Sequence, residues 1–502
     1  MTDNQTPLWT SQDAAAATRG RASAAFAVNG VSIDTRTLQK GDLFVALKGD
    51  RLDGHDYVDA AFAAGAGAVM VSKDYDVSKA KGPVLVVDDT TRALEDLGRA
   101  ARARCKGTII GVAGSVGKTG TKEMLATLLS ASGKTHASKK SFNNHWGVPL
   151  SLSNLPADAD FGIFEIGMNH PGEIIGLTDQ VKPDIALITT IDREHIEFFD
   201  NGLDGIADAN AEIFTGMSEN GIAILNHDNP YFERLKAHAE KQGIKDIRGF
   251  GEEDGAGIKL VDCALHADSS RVTADIDGEK VKYKLQIPGK HIVLNSLGAL
   301  GVVKAAGADL EKGIEALKNA EAVSGRGNRY QITLVAGEPP LTIIDESYNA
   351  NPASMQAAFK VFELVEPQGE GRRLAILGDM LELGKDGPRL HAELANPLLK
   401  AKTDQLFCCG PLMDALYQAL PAEWQGAHAK DSKALTDIVK ETVKPGDVLL
   451  IKGSAGSRMA YVIEALHAMD INATGNKNGQ SAANDKNDKP AGTNGKDKKN
   501  AL

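Results

Sequence analysis

Cysteine is scarce. The 502 residues hold four, Cys105, Cys263, Cys408 and Cys409. None stands at metal-ligand spacing and two are adjacent, which excludes a disulfide framework or a zinc ribbon and fits reduced, cytoplasmic thiols. Aromatic residues are only 5% of the chain, so the apolar content is Ala, Val, Leu and Gly, the stock of an α/β protein. No apolar run approaches bilayer-spanning length, so membrane insertion is not expected. The first ten residues, MTDNQTPLWT, have no basic region followed by an apolar run, and no signal peptide is expected. Positive charge is also lacking. The formal net charge is −11, which removes any general attraction to nucleic acid or anionic lipid; a phosphate must be held locally.

One stretch supplies such a local device. Thr108 to Thr121 reads TIIGVAGSVGKTGT. Thr108, Ile109, Ile110 and Val112 predict a buried strand, Gly114, Ser115, Val116 and Gly117 a loop, and Lys118 onward a helix with Met124, Leu125, Leu128 and Leu129 on one face. Glycines let backbone N–H groups approach phosphate oxygens, and the helix N-terminus favours negative charge. Lys118 reaches terminal phosphates and the Thr119 hydroxyl suits Mg²⁺. A general phosphate loop has glycine where Val112 stands; here Gly114 comes four residues before Lys118, which weakens a GTPase or motor reading.

Before this loop, residues 8–105 read as a small α/β unit. Thr10 and Asp13 open a helix to Thr18. Val31 and Ile33, then Leu43, Phe44, Val45 and Leu47, read as strands joined by a turn at Lys40-Gly41-Asp42. A helix from about Tyr57 follows, then strands at Val69–Val71 and Val84–Val87. Thr35, Arg36, Arg51, Asp53 and His55 gather on loops; by pattern alone they are turn chemistry and solvated charge.

After the loop, Asn143, Asn144 and His145 lie on a polar connection. Strands are expected at Phe161–Ile166, Asp184–Ile191 and Ile222–Asn226. Alternating strands and helices imply a mostly parallel sheet with ligands beyond the strands' carboxyl ends. Glu165, His170 and His195 fall there. A single histidine in such a place is usually a satisfied core or surface residue. A carboxylate and imidazoles at successive strand ends beside a phosphate loop equally fit a metal site. From Gly257 to Ile287 short alternation predicts an antiparallel excursion turning at Asp277-Gly278. A helix is expected from Leu294 to Ala306, with Asn295 near its start.

Ser324-Gly325-Arg326-Gly327 reads as a hinge. Strands at Leu341–Ile344, Leu374–Leu377, Gln405–Cys409 and Val448–Ile451 then each lead into a polar loop, describing a second doubly wound domain. From Ile471 to Leu502 the chain is rich in Asn, Lys, Gly and Asp with almost no apolar residues, and is expected to be disordered.

The pieces GSVGKTGTKEM, NNHWGVP, EIGMNHPGE, GKHIVLNSLGAL, DESYNANP, GDMLELG and KGSAGSRM resemble the Mur ligase family, the ATP-dependent amide-forming enzymes of cell-wall precursor synthesis. The resemblance covers about Leu8 to Asp470, and ESYNANP, NHPGEI and GDMLELG point to its dipeptide-adding branch. It implies three α/β domains: a UDP-substrate domain (1–105), a central ATPase with a mostly parallel sheet (106–322) and a C-terminal Rossmann-like domain (323–470), followed by the tail (471–502). It implies an ATP- and Mg²⁺-dependent ligase joining UDP-N-acetylmuramoyl-tripeptide to D-alanyl-D-alanine through an acyl phosphate, in a monomeric chain of the cytoplasm. It assigns Gly114, Ser115, Val116, Gly117, Lys118, Thr119 and Gly120 to the ATP phosphates and Asn295, Arg326 and Asp345 to the nucleotide. Lys118, Glu165 and His195 become catalytic, with Thr119, Glu165 and His195 serving Mg²⁺. Thr35, Arg36 and Arg51 fall near the uridine diphosphate, and Asn143, Asn144, His170, Asn349 and Asn351 at the substrate.

Two departures stand out. Thr35 replaces the usual serine and keeps a hydroxyl. Asn210 replaces a lysine that several relatives carbamylate to place a metal. Asparagine carries no such charge, though its amide oxygen could bind metal or water, so a second Mg²⁺ is not expected to be held in the usual way. The alternatives are a single-amino-acid ligase or folylpolyglutamate synthase of the same superfamily, and an ATP-dependent switch without catalysis. A switch does not account for the polar loops of the second α/β domain.

Overall fold

The computed structural model describes residues 6–49 and 51–472. Of the segment expected to be disordered, residues 473–502 lie outside these. Ile471 and Asn472 are held: the Ile471 N–H donates to the Thr333 carbonyl (3.1 Å) and Asn472 Nδ2 to Thr333 Oγ1 (2.8 Å).

Three main sheets follow one another along the chain. The first has five strands in the order Arg21–Ala22, Val84–Val87, Ala68–Ser72, Leu43–Val45 and Val31–Ser32. Val31–Ser32 and Leu43–Val45 run parallel, pairing Val31 with Leu43. The residues between them are therefore a crossover, and Lys40-Gly41-Asp42 is the end of that crossover rather than the whole connection. Parallel neighbours must be entered from the same end, so the chain has to travel back between them. It does so without a helix, held by Asp34, whose Oδ1 accepts the Arg36 N–H (2.9 Å) and whose carbonyl accepts Thr37 N–H (3.2 Å).

The central sheet has nine strands: Glu279–Leu285, Ser270–Ile276, Ile258–Leu265, Asp246–Gly251, Ile222–Asn226, Ile185–Ile188, Thr108–Ala113, Phe161–Glu165 and Thr135–Ala137. The first two are antiparallel, turning at Asp277 and Gly278, both with positive φ; the others are parallel. The antiparallel excursion thus extends the same sheet. Thr108–Ala113 sits between Phe161–Glu165 and Ile185–Ile188. Its crossovers leave to both sides, which opens a crevice at its carboxyl end. Side chains alternate across this strand. Ile110 and Val112 pack with Leu125, Leu128, Val293 and Leu297, while Ile109 and Ala113 join a second core shared with the N-terminal domain.

That shared core fixes the first two domains to each other. Helix Thr90–Arg104 lies on helix Gly147–Ser153, close enough that a Cβ on Gly98 would stand 3.2 Å from Leu152 Cβ. Trp9 Nε1 donates to the Ser153 carbonyl (2.8 Å), and the Arg104 guanidinium lies 3.9 Å above the Trp9 ring. Asn154 closes the joint: its Oδ1 accepts the Val31 N–H (2.9 Å) and its Nδ2 donates to the Val31 carbonyl (3.0 Å).

The third sheet has six strands ordered Asn328–Ile332, Leu341–Glu346, Val448–Lys452, Arg373–Gly378, Gln405–Cys409 and Gln425–Ala429, parallel except for the first. It carries its own core on each face. It is joined to the rest through the Gly325 and Gly327 turn (φ 73° and 98°), and Ile196 and Ala267 of the central domain pack against it.

Asn154→Ala should leave both Val31 backbone groups without partners, a cost of about 1–3 kcal/mol for such a group. Native-state hydrogen exchange at the Val31 amide is the measurement, with about tenfold or greater acceleration expected and the C-terminal sheet unaffected.

Candidate active site

The loop after Thr108–Ala113 is pinned from behind. Gly114 and Gly117 adopt φ of 124° and 90°. The Gly114 N–H donates to Asn210 Oδ1 (2.8 Å), and Asn210 Nδ2 donates to the Ile206 carbonyl (2.9 Å). Thr189 Oγ1 donates to the Val116 carbonyl (2.7 Å), and Ser115 Oγ to the Asp192 carbonyl (3.0 Å). Asn210 is 2% exposed, so its amide is spent on the loop. Lys118 opens helix Lys118–Ser130 and folds back. Its Nζ donates to the Gly114 carbonyl (2.5 Å), the Ser115 carbonyl (3.2 Å) and Glu194 Oε2 (3.0 Å).

The loop forms one wall of a cavity of about 950 Å³. On the central-domain side are Lys118, Thr119, Asn143, Glu165, His195 and Asn295; on the C-terminal side are Arg326, Glu346, Tyr348, Asn349 and Lys452. Asn143 Nδ2 donates to Glu165 Oε1 (2.8 Å). The Arg326 guanidinium stacks 4.1 Å over the Tyr348 ring, and the Tyr348 hydroxyl is hydrogen-bonded to Ser141 Oγ across the gap. Lys452 is buried, donates to the Asn349 carbonyl (2.9 Å) and pairs with Glu346 (3.3 Å). Burial holds its ammonium below the ordinary lysine value, opposed by the Glu346 charge. His291 also lines the cavity, and burial holds its imidazolium below the ordinary histidine value.

Two buried oxygens in this wall lack any partner, Thr119 Oγ1 and Glu165 Oε2. Leaving buried polar atoms unpaired is costly. A hydroxyl and a carboxylate oxygen suit Mg²⁺, which takes oxygen ligands and retains waters. The donor set therefore fits that ion.

Most of the residues named from the sequence meet here, with some exceptions. Gly114 braces the loop from the rear, while Ser115 to Gly120 line the cavity. Asn295 lies one turn inside a helix that begins at Lys290, four residues before the expected start. Its Nδ2 is so near Gly117 that a Cβ there would come within 2.6 Å. Asp345 does not line the cavity; it is 4% exposed and its Oδ1 accepts the Ser347 N–H (3.0 Å). Asn144 and Asn351 line it, but each spends its Oδ1 on backbone, Asn144 accepting the Gly147 N–H (2.9 Å) and Asn351 capping a helix at Ser354 (2.8 Å). His170 is exposed, pairing with Glu173 and stacking on Phe198. Thr35, Arg36 and Arg51 lie on the N-terminal domain outside the cavity lining, Arg36 paired with Asp34.

Sequence reasoning gave no role to Glu194, Glu346, Tyr348, Lys452 or Glu382. All but Glu194, which precedes His195, stood inside a quoted motif, and only the pairing in space singles each out. Glu382 belongs to GDMLELG, and its carboxylate is hydrogen-bonded to His195 Nδ1 from the other domain.

Comparison with known proteins identifies the family. The Mur ligase middle domain matches residues 112–303, the Mur ligase glutamate ligase domain residues 328–455, and the Mur ligase family catalytic domain residues 27–102. The UDP-N-acetylmuramoyl-tripeptide–D-alanyl-D-alanine ligase of Rickettsia prowazekii is 32% identical over 457 residues, 91% of this chain and 99% of that protein. The crystal structure of MurF from Acinetobacter baumannii superposes with a TM-score of 0.77 at 28% identity, covering 92% of this chain and 99% of that one. MurF ligase from Thermotoga maritima in complex with ADP gives 0.70 at 27% identity, covering 88% and 97%.

A methyl at Gly114 would meet Thr189 Oγ1 at 2.2 Å and the Thr189 backbone N at 3.0 Å, in a conformation side chains rarely adopt. Gly114→Ala should therefore push the loop off its bracing and weaken ADP binding by about tenfold or more, by calorimetric titration, with the thermal unfolding of the C-terminal domain unchanged.

Proposed function

This chain belongs to the Mur ligase family, and we infer from that membership and from the two-walled cavity that it is the ATP-dependent ligase adding D-alanyl-D-alanine to UDP-N-acetylmuramoyl-tripeptide, in peptidoglycan precursor synthesis. The observation that carries the reading is the single cavity in which a phosphate loop faces Arg326, Glu346, Tyr348 and Lys452 of another domain.

A carboxylate is a poor electrophile because its leaving group would be oxide. Transfer of the γ-phosphoryl group of ATP to a carboxylate oxygen gives an acyl phosphate and ADP. The amine of the dipeptide then attacks the carbonyl carbon, the C–O bond to phosphate breaks, and an amide and inorganic phosphate leave. No protein nucleophile is needed. The chain contributes positioning and charge, and oriented reactants alone can supply about 7–11 kcal/mol.

The Ser115 N–H is taken by the Thr190 carbonyl (2.8 Å), so the amides from Val116 to Gly120 cradle the phosphates, and Lys118 exchanges its loop carbonyls and Glu194 for phosphoryl oxygens. Asn295 and Arg326 hold the nucleotide from the two sides of the hinge. Asp345 acts at one remove, setting the turn that carries Ser347 and Tyr348. Thr119, Glu165 and His195 would hold one Mg²⁺, with Asn143 orienting Glu165. When bound, that ion neutralises charge on the transferring phosphoryl group. No second ion is placed at Asn210, whose oxygen is taken by Gly114. Asn143, Asn144, Asn349 and Asn351 border the peptide's path, with His170 at its outer edge.

We place the uridine diphosphate at Thr35, Arg36 and Arg51. One approach supports this: a Cβ on Gly49 would stand 3.8 Å from the Trp146 ring. The N-terminal loops thus face the segment leading into the cavity. Both cavity walls come from one chain, which suits a monomer. Among the described residues no helix is long and apolar enough to cross a membrane, and we place the reaction in the cytoplasm.

An ADP-release screen crossing UDP-muramoyl peptides of different length with amino acids and dipeptides tests the reading. Release should require the tripeptide together with D-alanyl-D-alanine; equal release with any single amino acid would overturn it. Lys118→Ala should abolish this coupled release, and near-wild-type turnover would remove Lys118 from its role.

A further inference from the structure

The GDMLELG loop enters none of the steps above, yet it reaches across to the phosphate-loop domain. Glu382 and His195 both adopt left-handed backbone, φ 62° and 57°, a conformation uncommon for side-chain-bearing residues and often found at functional sites. Their main chains also meet: the Glu197 N–H donates to the Glu382 carbonyl (3.4 Å). Gly384 permits the approach, since a Cβ there would stand 3.2 Å from Glu197 Cβ. The result sets the Glu382 carboxylate against His195 Nδ1.

This arrangement has a chemical consequence. With Nδ1–H donated to a carboxylate, the imidazole is held in one tautomer and Nε2 keeps its lone pair. His195 lines the cavity that also holds the unpartnered oxygens of Thr119 and Glu165. The groups beyond the imidazole in this arrangement come from different domains, so the ring is fully oriented only when the domains are together.

We propose that Glu382 is a positioning residue that completes the cation site from the C-terminal domain, fixing His195 so that Nε2 faces the divalent ion and thereby linking domain closure to metal binding. The inference rests on the reading of His195 as a metal-side residue. Linkage is reciprocal: if closure tightens the ion, the ion must favour closure by the same factor. An interdomain ion pair with no part in the metal site would stabilise closure without changing affinity for the ion.

The test uses the full chain with ADP and Mn²⁺ as a paramagnetic stand-in. Mn²⁺ affinity is read by electron paramagnetic resonance and closure by the radius of gyration from X-ray scattering. Glu382→Ala should weaken Mn²⁺ binding by about tenfold or more and remove the contraction that Mn²⁺ causes in the wild type. The Glu382 side chain is 45% exposed, so the variant should fold, and an unchanged unfolding midpoint checks this. Glu382→Gln, whose amide oxygen can still accept from Nδ1, should recover most of the affinity. Wild-type Mn²⁺ affinity in Glu382→Ala would overturn the inference while leaving His195 in place. Unchanged affinity in His195→Ala would overturn the underlying metal reading, and the inference with it.

Discussion

A short loop braced from the rear is the constraint on which the rest depends. Backbone N–H groups can serve a phosphate only if they are left unpaired and held still. The chain achieves this by spending other groups on the loop's far side: the Asn210 amide on Gly114, the Thr189 hydroxyl on Val116 and the Ser115 hydroxyl on Asp192. The forward amides then lie at the start of a helix, at the carboxyl end of a strand whose neighbours cross over to opposite sides. In a chain of net charge −11, anion binding has to come from such local geometry. Asn210 is buried, and its amide oxygen serves the loop by accepting the Gly114 N–H.

The second requirement is that another rigid body supply the opposite wall. The N-terminal and central domains share a core, whereas the C-terminal sheet has cores of its own and is attached through two left-handed glycines. Tyr348 to Ser141 and Glu382 to His195 are contacts between these bodies. Ile196 and Ala267 of the central domain add apolar packing against the C-terminal core, so the seam is mixed in character. That suits an interface which must open to admit two substrates and close to keep water from an acyl phosphate.

Much of this was legible in the sequence. The phosphate loop, the strand ending at Glu165 and the polar loops after Leu341–Glu346 and Val448–Lys452 follow from apolar runs broken by glycine and charge. What escaped was short, polar or relational. Thr135–Ala137, Gln425–Ala429 and Asn328–Ile332 carry too few apolar residues to stand out as strands. The parallel pairing of Val31 with Leu43 depends on a crossover with no helix to announce it. Helix Lys290–Ala305 starts early because Gly289 (φ 118°) makes its N-cap without a side chain. Asp345 and Asn351 sit in a polar motif that looks like ligand chemistry, but both spend a side-chain oxygen on the loop's own backbone. Glu194, Lys452 and Glu382 acquire meaning only from a partner far along the chain.

The account's central claim is that the two walls bring a terminal phosphoryl group onto a peptide carboxylate. Oxygen tracing tests this most directly. UDP-N-acetylmuramoyl-tripeptide labelled with ¹⁸O in its reacting carboxylate should deliver one labelled oxygen to each inorganic phosphate released during amide formation, read by ³¹P resonance or mass spectrometry. Phosphate released without label, at the same yield of amide, would contradict it.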